Sequence, residues 1–288
     1  MDRRSRICWI DGAVGPRFVL VTRPVVVGSI ALSFHRAAAA VVQRILEKHG
    51  HDVVVVEAAH EELFARQARG EIDVLVSAWL PSSHGSYLAP YRDRVRVLSP
   101  LYDPYCIWAV PPYVPVESVT DLVAPEIAER MTRVITGINA GAGISRFSAR
   151  MVVDYGLDRR GYSFVPGPEA AFVERVERGV AAGEWFVIPL WRPQQLNRRH
   201  GLRAIDEPKG LLGGVDAACP VVTEEAFARI GSAAMTELDA LRLGNDGVEE
   251  IDTLITVEGL APLSAADRFL AAHRPAGKPG ADGCRPRV

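Results

Sequence analysis

The apolar positions of this chain alternate between unbroken runs and helical stripes. Val25-Val26-Val27-Gly28-Ser29-Ile30 is a continuous run, as a strand covered on both faces of a parallel sheet requires. Phe34, Ala38, Val41, Val42, Ile45 and Leu46 then recur at helical spacing, and Gly50 stops that helix. Residues 52–56 predict a second strand, 61–69 a short amphipathic helix ended by Gly70, and 73–77 a third strand. This β-α-β-α-β opening is the pattern of a doubly wound sheet. A further strand at 105–110 precedes Pro111-Pro112.

A second unit follows with the same alternation. Residues 134–138 and 185–190 predict strands, and 144–155 and 168–182 predict helices, the latter with Pro168 in its first turn and Gly183 beyond its end. After the glycine-rich stretch 210–214 come a strand at 217–222 and helices at 223–241 and 263–273. The expected organisation is α/β and two-lobed. Each lobe is a doubly wound sheet and a ligand cleft lies between them. Residues 25–110 form the first lobe, 111–213 the second, and 214–273 return to the first. The chain crosses near 109–112 and 211–214. Residues 1–24 read as an extension with no signal peptide in view, and 274–288, rich in Pro and Gly, as a disordered tail.

Composition narrows the function class more than the fold. The chain has 288 residues, 48% hydrophobic and 24% charged, with 33 Lys plus Arg against 35 Asp plus Glu, a formal net charge of -2. No basic surplus points to a nucleic-acid partner. The cysteines Cys8, Cys106, Cys219 and Cys284 have no C-x-x-C or metal-ligand spacing, and no cofactor or metal is expected. Cys106 sits in an apolar run and reads as a small buried hydrophobe. No nucleophile–base pair, carboxylate pair or metal cluster falls at the cleft positions, so an enzyme is not expected.

Candidate chemistry gathers where strands end, the place at which open α/β sheets bind ligands. Trp79 leaves the third strand and is followed by Pro81 and His84. Trp191 leaves the 185–190 strand, flanked by Pro189 and Pro193. An indole face attracts a cation and an imidazole N–H can meet a carboxylate. The bland alternative packs Trp79 under its loop with His84 on the surface. Residues 136–143 form a glycine-rich strand-to-helix turn whose amides can receive a carboxylate, but they do not match a dinucleotide fingerprint.

At these residues the chain resembles the glycine betaine-, choline- and carnitine-binding proteins of osmoprotectant ABC importers. The likeness runs from about Val25 to His273. Its specific pieces are Gly70-Glu71-Ile72-Asp73, the W-L-P-x-x-H-x-x-Y run from Trp79 to Tyr87, Val110-Pro111 and the G-I-x-x-G-A-G run from Gly137 to Gly143. Tyr155-Gly156-Leu157, the L-W-x-P run from Leu190 to Pro193, Asp206-Glu207-Pro208-Lys209-Gly210 and the closing helix complete the series. The resemblance implies a two-lobed periplasmic-binding-protein-like fold and a solute-binding component at the cell envelope, partnered by an ABC permease and ATPase and binding a betaine-like solute. With no signal peptide in view, a cytoplasmic solute sensor on the same fold is the alternative.

It also implies that Trp79 and Trp191 are two walls of an aromatic cage, while His84 and the amides of Gly137 and Ile138 hold a carboxylate. The family's third cage tryptophan falls here on Leu32, which has no π face. Phe34 is the nearest ring to replace it, with Tyr102 and Trp108 behind. Phe34 also fits the buried face of the first helix, Trp108 fits a strand core, and His35 reads as a surface residue at the helix start.

Overall fold

The computed structural model describes residues 23–273 and, before them, the backbone of two paired short strands, β1 (Ile7–Cys8) and β2 (Val19–Leu20). The expected tail at 274–288 and most of the expected extension lie outside the described residues. The first lobe begins with β3 (Val25–Ile30), α1 (Ser33–Lys48), β4 (Val53–Ala58), α2 (His60–Ala68), β5 (Val74–Leu80), α3 (Gly85–Leu88) and β6 (Val95–Val97). The second holds β7 (Tyr105–Val110), α4 (Pro125–Ala128), β8 (Val134–Thr136), α5 (Gly143–Asp154), β9 (Ser163–Val165), α6 (Glu169–Ala181), β10 (Ile188–Arg192), α7 (Leu196–His200) and β11 (Arg203–Ile205). The chain then returns through β12 (Ala217–Thr223), α8 (Glu224–Ile230), α9 (Ser232–Ala240), α10 (Gly244–Thr256) and α11 (Pro262–Ala272).

The first sheet has the order β4-β3-β5-β12-β6. Its β3 runs parallel to β4 and β5, whereas β12 is antiparallel to β5 and β6. Pro220 cannot donate to a ladder, and the register of β12 shifts there. Gly28 permits close packing of Ile72 and of Leu63 of α2 on β3, because a Cβ there would stand 2.9 Å from Ile72 and 3.3 Å from Leu63.

The second lobe departs from the expected single doubly wound sheet. It consists of a parallel β8-β9 pair and an antiparallel sheet of order β10-β7-β11. The strand β7, expected to close the first lobe, is thus the centre of the second sheet. The first crossing precedes Tyr105 instead of following Val110. The two crossing segments pair with each other through the antiparallel bridges Tyr102↔Ala218 and Tyr105↔Val215. Hydrogen bonds from Asp216 N–H to the Pro104 carbonyl (2.8 Å) and from Ala218 N–H to the Tyr102 carbonyl (3.0 Å) make them a ribbon.

Two further differences concern the return segment. The helix expected over 223–241 is two helices broken at Gly231, whose φ of 86° and ψ of 160° suit glycine almost alone. The helix α10 was not expected at all. Its buried side carries Glu249 and Asp252 among Val248, Ile251 and Leu254, and the two acids interrupt the apolar stripe a reader looks for.

Candidate functional site

Two strand ends and two helix starts converge between the lobes. Trp79 and Trp191 are each the penultimate residue of a strand, β5 and β10, whereas the sequence suggested that each follows its strand's end. They line one cavity of about 20 Å³, room for about one water molecule. Leu32 and Phe34, at the start of α1, line it from the first lobe with Trp79 and His84, and Ile138 lines it from the second lobe with Trp191. Trp79 is 5% exposed and Trp191 1%.

Phe34 lies between the two tryptophans. Its ring centroid is 5.5 Å from that of Trp79 and 5.6 Å from that of Trp191, both tilted contacts in the favourable range for aromatic pairs. Phe172 stacks on the other side of Trp191 at 5.4 Å. Leu32 also faces the cavity, so its aliphatic side chain replaces a ring within the lining itself.

Tyr102 and Gly137 stand apart from the other candidates. Tyr102 lies behind Trp79, and its hydroxyl accepts from the indole Nε1–H at 3.1 Å, fixing the tryptophan's orientation. Burial pushes the Tyr102 phenol up to about 12. The amide of Gly137, expected to meet a carboxylate, donates to the Val165 carbonyl at 2.9 Å and is already engaged. Gly137 is needed for room, since a Cβ there would lie 2.3 Å from Phe164 Cζ. Ile138 and the opening of α5 line the cavity instead. Gly143 and Ile144 line it, and first-turn amides have no partner within their helix. Trp108 is a core residue, as its strand implied, donating from Nε1 to Ser148 at 2.8 Å.

Three histidines meet here, of which the sequence singled out only one as a contact. His84 Nδ1 accepts from the Trp79 amide at 2.9 Å, which leaves the proton of the neutral ring on Nε2. His35, expected on the surface, is buried, lines the cavity and shares a 2.6 Å hydrogen bond with Ser77 through Nδ1. His60 opens α2 and pairs through Nδ1 with Asn139 of the second lobe at 3.1 Å. Its ring is 5.2 Å from His84 and 6.4 Å from His35. Burial holds all three neutral: His60 is pushed down to about 4, and His35 and His84 are held well below the usual histidine range, each also by a neighbouring imidazole. Among the described residues no group of three or more His, Cys, Asp or Glu side chains is arranged to hold a metal ion.

The loop that carries His84 is tied down from two sides. Asp216 accepts from the amides of Ser82 (2.7 Å) and Ser83 (3.0 Å) and from the Ser83 hydroxyl (2.7 Å). From the second lobe, Arg146 of α5 donates to the Ser83 carbonyl and, at 2.9 Å, to the Tyr87 hydroxyl, which itself donates to the Gly141 carbonyl. The lobes are therefore closed on each other. The Trp191 indole N–H is buried without a partner. Chemically the site offers aromatic faces, neutral imidazole and backbone donors in a buried enclosure, which suits binding of a small solute with a diffuse positive charge and a carboxylate.

The family model for the substrate-binding domain of ABC-type glycine betaine transport systems matches residues 23–272. A glycine betaine/carnitine transport binding protein of Listeria monocytogenes is 26% identical over 145 residues, 50% of this chain and 48% of the relative, so the match spans about half the length of that protein. The closed, glycine betaine-bound lactococcal OpuAC superposes with a TM-score of 0.78 at 24% identity, covering 88% of this chain and 96% of that one. A glycine betaine/L-proline-binding protein of Borrelia burgdorferi gives 0.79 at 23% identity, over 87% and 94%. A choline-binding protein in complex with choline gives 0.76 at 21% identity, over 86% and 88%.

Proposed function

Because the chain belongs to the substrate-binding domain family of ABC-type glycine betaine transport systems, we propose that it captures glycine betaine or a related quaternary-ammonium or zwitterionic solute and presents it to an ABC permease and its ATPase. The observation that carries this reading is the pairing of Trp79 and Trp191, brought from opposite lobes to one cavity with Phe34 between them. Phe34 takes the place of the aromatic wall that Leu32 cannot supply. The carboxylate end falls to His84 Nε2–H, the Ile138 amide and the opening of α5. The chain acts at the cell envelope and catalyses nothing. Among the described residues, no helix is long and apolar enough to cross a membrane. A cavity of about 20 Å³ is too small for a trimethylammonium group, so capture requires the lobes to part and re-close around the solute.

Calorimetric titration with glycine betaine, choline, carnitine and a set of amino acids tests this. Binding of at least one of the first three should weaken by about 0.5–2 kcal/mol in each of Trp79→Ala and Trp191→Ala, the range of one cation–π contact. Binding confined to amino acids, or indifferent to both substitutions, overturns the reading.

A further inference from the structure

The long helix α1 points its first turn at the cleft with no cap of its own. Its N-cap position is Leu32, no side chain of the helix accepts from its first amides, and no acidic residue lies in its first turn. A helix N-terminus left so carries unpaired donors and partial positive charge. The cap comes instead from the opposite lobe. Glu169, the first residue of α6, accepts from the Ser33 amide at 3.3 Å and from the Ser33 hydroxyl at 3.2 Å. The helix is capped only while the lobes are together.

A second carboxyl group meets the same serine from behind. Asp252 of α10 is fully buried, and neither of its carboxylate oxygens has a hydrogen-bond partner. Lone buried anions are costly, and two carboxylates around one hydroxyl repel. A single proton shared with this pair removes both penalties. We propose that Glu169 and Asp252 form a proton-binding latch, so that closure of the cleft takes up a proton from solvent at this pair and thereby holds α1 of one lobe to α6 of the other. The latch rests on the solute-capture reading above, and neither carboxyl group is assigned a contact with the solute.

The charges around the latch agree with it. Burial first, then the Glu169 and Glu249 carboxylates, push Asp252 up to about 7, with the nearby Ser33 hydroxyl and Gln195 amide, neither in hydrogen-bonding geometry, opposing in part. Burial likewise raises Glu169. From α1, Arg36 is the facing cation, but Glu57 engages it at 2.8 Å. Glu249, on the helix of Asp252, is matched by Arg192 at 2.6 Å and Arg198 at 3.5 Å. On α11, Asp267 pairs with Arg44, and Arg268 with Glu258. Arg36 is shared among Glu57, Glu169 and Asp252, and among the described residues no cation forms an ion pair with Asp252. Opening would carry Glu169 and Gln195 of the second lobe away from Asp252 and re-expose both acids to water, so the closed form should bind more protons and closure should strengthen as pH falls through about 7.

Titration calorimetry of the whole chain at pH 7, in two buffers of different ionisation enthalpy, counts the proton. Glycine betaine and choline serve as probes because neither titrates there. With Asp252 half-protonated at pH 7, the unaltered protein should take up about half a proton more per solute than Asp252→Asn. Protons released by the three histidines are common to both and cancel. Glu169→Gln should lower the count toward that of Asp252→Asn and flatten the affinity between pH 6.5 and 8. Equal counts in all three, with cooperative melting of each, overturn the latch. If Asp252→Asn does not fold, an unchanged pH profile in Glu169→Gln does so. Absence of heat with every solute would sink the solute reading alone. The latch is then decided by small-angle scattering without solute, which should show compaction from pH 8 to 6.5 in the unaltered protein. A radius independent of pH overturns it.

Discussion

Replacing His84 by alanine separates the role that the structure shows for its ring from the role proposed for it above. Its Nδ1 accepts from the Trp79 amide at 2.9 Å, and its Nε2–H is left for the cavity that Ile138, Gly143 and Ile144 also line. The substitution therefore orphans a buried backbone N–H, a cost of about 1–3 kcal/mol felt whatever solute is bound. It also removes one donor to a carboxylate, and a hydrogen bond to a charged group contributes about 1.5–3 kcal/mol. The second loss applies only to a solute with a carboxylate. Glycine betaine has one and choline has none, so the ratio of their affinity losses isolates it. Calorimetry on both should show glycine betaine weakened about 10–150-fold more than choline. The donor arises from the tautomer of a neutral ring and not from a charge, so this selectivity should persist from pH 6.5 to 8.5. Equal losses for the two solutes, or selectivity that disappears above pH 6.5, would refute the assignment.

Two other outcomes follow from the same packing. The three cavity histidines titrate near 6.5 when unfolded and stay neutral far lower when folded, so stability is full above 6.5 and is lost as pH falls, at about 1.4 kcal/mol per pH unit each. Asp252, raised to about 7, gains as pH falls and offsets one of them, leaving a net loss of about 2–3 kcal/mol per unit between pH 6.5 and 5. Urea unfolding at three pH values measures it, and a flat profile refutes it. Gly137→Ala should lower stability by about 1–3 kcal/mol through the clash with Phe164, lowering the melting temperature, and an unchanged melting temperature would refute the packing argument.

Much of the site was legible because the rule that binding groups sit at the carboxyl ends of strands needs only the strands to be found. It located Trp79 and Trp191. Applied to β3 and β4 it would also have located His35 and His60, which follow those strands directly. They were passed over because a histidine in a helix's first turn looks solvated until its tertiary neighbours are known. Gly137 illustrates the converse limit. A glycine-rich turn announces backbone donors, but whether a given amide is free depends on the pairing of β8 with β9, and Val165 had already engaged it. The helix α10 was hidden for an energetic reason: burying Glu249 and Asp252 is costly unless Arg192, Gln194 and the cleft compensate, and those partners lie more than 50 residues away. The strand β7 looked like the last of one sheet because strand propensity says nothing about which neighbour it joins.

The ribbon formed by the two crossings determines how such a molecule can move. Two independent connections would let the lobes swivel, slide and twist separately. Here Tyr102 is bridged to Ala218 and Tyr105 to Val215, so both crossings deform as one strip. A strip is stiff against stretching and in-plane shear but compliant to bending, which leaves the lobes one soft coordinate. Along that coordinate the contacts of Glu169, Asn139, Gly141 and Arg146 all part or meet in step. Opening and closing then share one path, and the energy of gripping a solute acts along it.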